Sequence, residues 1–135
     1  MLRFLFGIFV VLHGLVHLWY VTLSQGLVEF QAEMGWTGKS WLFSPLLGEG
    51  ATRSLATVLY SLATLAFLIG GIGIFVEQAW WRPMVIGSAA FSAAIILLFW
   101  DGGLQMIVEK GLLGFLINAA LLVALLVFGW PSVEF

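Results

Sequence analysis

The chain of 135 residues contains no cysteine. Thiol–disulfide exchange, iron–sulfur ligation and thiolate zinc sites are therefore excluded together. Charge is also scarce: 9% of residues are charged, where soluble domains carry about 25%. A net charge of −2 leaves no broad basic face, so nucleic acid is not a partner. What fills the space is apolar: 62% of residues are hydrophobic, and a soluble fold of this size cannot hide that much surface. The solvent these residues imply is a lipid bilayer.

Four long apolar runs cover residues 4–23, 55–76, 84–100 and 112–130, and none contains Asp, Glu, Lys or Arg. Each approaches the 17–25 residues a helix needs to cross about 30 Å of hydrocarbon. The period-2 alternation of barrel strands is missing, and helices are the other structure that can span a bilayer. The expected fold is all-α: one domain over 1–135, a four-helix transmembrane bundle with both termini on one side. Charges flank the runs at Arg3, Arg53, Glu77, Arg82, Asp101, Glu109, Lys110 and Glu134. "WWRP" at 80–83 places interfacial tryptophans and a first-turn proline at the start of the third span. "WDGG" at 100–103 and "GWP" at 129–131 are expected to end the third and fourth, and Thr52 or Ser54 to cap the second.

No small-x-small cleavage pattern follows the first run, which reads as a retained helix rather than a leader. Arg3 beside the amino terminus favours cytoplasmic termini, whereas Lys39, Arg53 and Lys110 on the opposite side pull the other way; the expectation is termini inside. The segment 24–54 is the one long connection, at about 30 residues far above the usual length. Phe30, Met34, Trp36, Trp41, Leu42 and Phe43 make it too apolar for disorder, so it is expected to lie at the interface and cap the bundle with short helices. Small residues at Ala63, Ala66, Gly70 and Gly73, and at Gly87, Ala90 and Ala94, form two faces on which helices are expected to approach closely. "GGIG" at 70–73 has neither the strand nor the Lys-Ser/Thr of a phosphate loop.

Both histidines of the chain sit in "LHGLVHLWY", residues 12–20, inside the first apolar run. His13 and His17 are four residues apart and share a helix face, which Tyr20 and Ser24 extend. At a rise of about 1.5 Å per residue, His17 and Asn118 each lie about 9 Å from the loop-side ends of their spans. Thr57, Tyr60 and Ser61 fall at similar depth, while Ser88 and Ser92 fall around or below the midplane. The expected site is a polar pocket centred on His13 and His17, with Tyr20, Tyr60, Ser61 and Asn118 as partners and Glu49, Arg53 and Asp101 above it. Intramembrane ionisable groups are functional candidates by default, yet histidines also serve as hydrogen-bonded packing between helices. Such a pocket suits a quinone head group, a haem, a chlorin or another amphipathic molecule. No acid lies within the spans for a Ser-His-Asp arrangement, zinc lacks its third and fourth ligands, and no catalytic residue is assigned.

"LRFLFGIFVVLHGLVHL" resembles the opening of DoxX-like membrane proteins in Arg3, the apolar stretch and the His13-Gly14 pair; His17 stands where that family often carries lysine. "FLIGGIGIF" is similar to the family's glycine pair with its aliphatic run and further glycine, and the order of Arg82, third span, glycine loop and leucine-rich fourth span also matches. "WTGKSW" lies outside the resemblance. The resemblance implies a four-helix protein of the bacterial inner membrane with a loose link to electron transfer, through the small membrane subunit of a thiosulfate:quinone oxidoreductase. Related four-helix families that handle disulfides need cysteine pairs that this chain lacks. Three functions are then open: a subunit that binds a quinone-like molecule or supports a redox complex, an accessory scaffold of a respiratory or photosynthetic complex, and an oligomeric transporter. Other membrane subunits or further copies of the chain are the expected partners. The transporter is disfavoured because no span is charged and no internal repeat is visible.

Overall fold

A computed structural model describes residues 1–29 and 31–133. Phe30 and Glu134, expected in the capping loop and among the flanking charges, lie outside the described residues. Helix α1 (Leu2–Ser24) is followed by a 3₁₀ turn (Ala32–Met34), a short helix α2 (Phe43–Leu47), then α3 (Glu49–Phe75) and α4 (Trp81–Leu98). A π-helical turn (Val108–Leu112) leads into α5 (Leu113–Leu126). Four helical stretches, Leu2–Ser24, Glu49–Phe75, Trp81–Leu98 and Val108–Leu126, are long and apolar enough to cross a membrane. The protein is a small multi-pass membrane protein built as an all-α bundle.

Successive spans pack on one another: α1 on α3, α3 on α4, α4 on α5. The first two contacts depend on glycine. A Cβ on Gly14 would come within 2.6 Å of Phe67 Cβ, and one on Gly71 within 2.5 Å of Val11. Gly70 and Gly73 meet Val85 and Trp80 in the same manner, so α3 presents small residues to both neighbours. The corresponding expectation for α4 is corrected: Gly87, Ala90 and Ala94 are exposed, and Val85, Ser88, Ala89 and Ser92 face inward instead. The inward stripe of α4 thus runs through its two serines rather than its smallest residues.

Three helix ends also differ from the sequence reading. α3 begins at Glu49, so Glu49 and Arg53 stand on the helix rather than in the loop. Gly48 is its N-cap, while the Thr52 and Ser54 hydroxyls donate back to the carbonyls of Gly48 (2.7 Å) and Gly50 (3.1 Å). Their hydroxyls serve turns already formed. The helix of the fourth span ends at Leu126, four residues short of the expected Trp130; Arg82 donates to the freed carbonyls of Leu125 (3.3 Å), Gly129 (3.2 Å) and Pro131 (2.7 Å). At its start this span is broken at Gly111, whose φ of 122° lies where L side chains are strained. A side chain there would also meet Ile96 at 2.8 Å and the Tyr20 hydroxyl at 3.2 Å.

The segment between α1 and α3 caps the bundle through α4. A helix leaves its last carbonyls without partners, and inside a membrane protein those carbonyls need donors. Trp41 Nε1 donates to Leu97 O (2.8 Å), the Ser40 hydroxyl to Leu98 O, Trp36 Nε1 to Phe99 O (2.8 Å) and the Trp41 amide to Trp100 O (2.7 Å). Trp36 is buried against Tyr20, Tyr60 and Phe99, so one side chain both fills the loop-side core and closes a helix end. Just past the end of α4, Asp101 pairs with the buried Lys110 at 3.0 Å and accepts from Thr37 (3.2 Å) and the Gly103 amide (2.8 Å).

Candidate functional site

The buried apolar residues fall into two clusters. One around Phe6, Phe67, Trp81 and Leu125 fills the half near the termini, and one around Tyr20, Trp36, Tyr60 and Phe99 fills the half near the capping segment. A polar layer separates them. His13 and His17 from α1, Ser92 from α4 and Asn118 from α5 are all at least nine-tenths buried and bonded to one another.

The bonds fix the direction of every proton in this layer. His17 Nδ1 faces two backbone carbonyls, His13 O at 3.0 Å and Gly14 O at 3.1 Å. A carbonyl only accepts, so Nδ1 carries the proton and the neutral ring's Nε2 accepts. The Ser92 hydroxyl, 2.6 Å away, donates to that Nε2. Its oxygen then accepts from Asn118 Nδ2 at 2.7 Å, which turns Asn118 Oδ1 towards His13. Asn118 Oδ1 accepts from His13 Nε2–H at 2.8 Å. One directed chain, His13 to Asn118 to Ser92 to His17, ties three spans together and uses both nitrogens of His17.

His13 keeps one nitrogen over. Its Nδ1 makes no hydrogen bond among the described residues, and it is not sealed, because no fully buried side-chain nitrogen or oxygen there lacks a partner. The ring borders a cavity of about 600 Å³ lined also by Val16, His17, Tyr20, Leu113 and Ile117, with Gln31, Glu33 and Glu109 at its loop-side mouth. A second, wholly apolar cavity of about 450 Å³ continues towards the termini between Leu5, Phe9, Ala120 and Ala124, and Ile117 borders both. Together they form a seam, because the first and fourth spans make little contact with each other.

Of the residues expected at the site, His13, His17 and Asn118 are brought into the network and Tyr20 lines the cavity. Tyr60 stacks on Tyr20 with ring centres 4.7 Å apart and packs beside His17 at 6.2 Å without bonding to it. Ser61 is half-buried and joins none of these bonds. The three loop-side charged residues each have a partner: Glu49 pairs with Lys39 (3.4 Å), Arg53 donates to Thr37 O (3.4 Å) and Asp101 holds Lys110. Ser92 is the member the sequence reading placed too deep, and Phe67, not among the residues expected at the site, meets His13 edge-on with ring centres 4.9 Å apart. Among the described residues no three His, Asp or Glu side chains gather to hold a metal ion. No family model matches the chain, and neither does any curated protein or solved structure at a significant level.

Proposed function

We propose that this is a small membrane protein of DoxX-like type that binds the head group of a quinone or a similar amphipathic molecule, alone or within a redox complex. The observation that carries the reading is the cavity between the first and fourth spans, bordered by His13, whose Nδ1 has no partner among the described residues. A volume near 600 Å³ falls in the range of small-molecule sites, and the apolar cavity beyond Ile117 offers room for a tail. The capping segment contributes Gln31, Glu33 and Met34 to the loop-side end of the cavity. Haem or chlorin ligation suits the site less well, since both Nε2 atoms are committed within the network. Placement in a bacterial inner membrane with cytoplasmic termini belongs to the same proposal.

A second reading has its own support. The network joins three spans with its protons fully ordered, which is what histidines acting as packing between helices require, and it suits a non-catalytic scaffold subunit of a respiratory or photosynthetic complex. The test is an absorption spectrum and mass spectrometry of extracts from protein purified gently from its native membrane. A stoichiometric lipid-soluble molecule that is lost from His13→Ala supports the pocket. A clean preparation in which wild type and variant fold equally well would sink it, and the partner of a scaffold would then be sought by co-purification.

A further inference from the structure

We infer that the cavity discriminates among quinone-like ligands by a hydroxyl group that donates a hydrogen bond to His13 Nδ1, so that it binds a phenol or quinol more tightly than the matching ether or quinone. The inference rests on the pocket reading above and deepens it. It follows from the order of the protons. Two main-chain carbonyls fix His17 as the Nδ1–H form. Ser92 then donates to His17, Asn118 Nδ2 donates to Ser92, and Asn118 Oδ1 is left to accept from His13 Nε2. Turning the Asn118 amide over would put its NH₂ against the His13 nitrogen and its oxygen against Ser92. Ser92 would then have to donate to Asn118, and His17 Nε2 would lose its donor or gain a second proton. The His17 end is fixed to the main chain and cannot follow. His13 therefore presents a bare Nδ1, an acceptor, to the cavity.

The ring itself is held. Asn118 fastens one edge, Phe67 packs edge-on at 4.9 Å and Phe9 lies parallel at 6.1 Å, so the ring is held on three sides. A ligand carbonyl or ether oxygen placed there would meet a lone pair with a lone pair, both desolvated. A hydroxyl completes the chain by one more donor in the same direction. A site built around one buried polar atom discriminates strongly against an analogue that leaves that atom unpaired.

The experiment uses the full chain in nanodiscs and three probes of equal tail length: 4-decylphenol, its methyl ether 4-decylanisole, and decyl-1,4-benzoquinone. Binding is measured in the same bilayer against the variant Val16→Trp, which fills the cavity from the exposed face of α1 and leaves the network untouched. The expected result is roughly tenfold or greater preference for the phenol over both other probes. That preference should vanish in His13→Phe, and all binding should vanish in Val16→Trp. Nitrogen NMR of the ligand-free protein should show an unprotonated His13 Nδ1. Equal or tighter binding of the anisole or quinone, or a protonated Nδ1, overturns the donor rule while the pocket itself survives. If no probe binds wild type above Val16→Trp, the pocket reading falls and the inference with it.

Discussion

Ser92→Ala removes one oxygen and one hydrogen-bond hub. Ser92 Oγ donates to His17 Nε2 at 2.6 Å and accepts from Asn118 Nδ2 at 2.7 Å, so two partners on two other spans lose a bond at once. The volume change is too small to open a cavity, which leaves polar satisfaction as the effect measured. Interhelical hydrogen bonds in membrane proteins average about 0.6 kcal/mol and reach about 1.7 kcal/mol. Two of them give an expected loss of about 1.2 kcal/mol, with a ceiling near 3.4 kcal/mol. Ser88 supplies the control. It is equally buried on the same helix one turn earlier, but its hydroxyl donates at 2.7 Å to Met84 O within α4. Ser88→Ala breaks no contact between spans and is expected within about 0.5 kcal/mol of wild type. Equilibrium unfolding by steric trapping in bicelles reads both. Equal effects of the two substitutions would refute the claim that the network, rather than serine burial, joins the spans. Ser92→Ala should also lose additivity with Asn118→Leu, because the second substitution removes a bond the first has already broken.

Other perturbations separate the remaining contacts. Lys110→Met leaves the partly buried Asp101 without its ion-pair partner and should cost about 1–3 kcal/mol, while the double variant with Asp101→Asn should recover most of that in the same unfolding assay. Gly14→Val drives a Cβ into Phe67 and should cost about 1–3 kcal/mol with loss of α1 from the bundle by cross-linking. Gly87→Ala, where a Cβ meets nothing within 4 Å, should be neutral or slightly stabilising. Trp36→Phe keeps an aromatic ring in the loop-side core but leaves Phe99 O without its donor; faster amide exchange at Trp41 and in the last turn of α4 is expected, and unchanged exchange would deny the capping role.

The spans were legible in the sequence because lipid imposes a single demand, an uncharged apolar run of sufficient length, and four runs met it. Helix ends were less so, since interfacial residues satisfy their backbone in several ways. That uncertainty propagated into the site. Counted from Trp100, Ser92 lies about 12 Å below the loop-side end of its helix, whereas from the observed end at Leu98 it lies about 9 Å below, level with His17. Two residues at one helix end therefore hid the hub of the network. The same limit applied to faces. Gly87, Ala90 and Ala94 carry the spacing of a packing stripe, but which side of α4 meets α3 is decided by Val85 seated on Gly70, a complementarity between helices that periodicity within one helix does not contain.

The placement of the polar network bears on why these histidines are there. Hydrogen bonds that merely hold helices together would work best where the helices already touch, because close packing excludes competitors for each donor. α1 and α3 touch along glycines, yet the layer does not use that contact. Its bond from His13 to Asn118 spans the one side of the bundle where the spans part, with a cavity above and another below. A larger side chain at Val16 or Gly114 would close that side with apolar contacts and no polar atoms. The chain instead keeps Val16, Gly114, Ala120 and Ala124 along the seam and a directed set of bonds across it. Such an arrangement leaves an opening beside the network, which packing alone does not require.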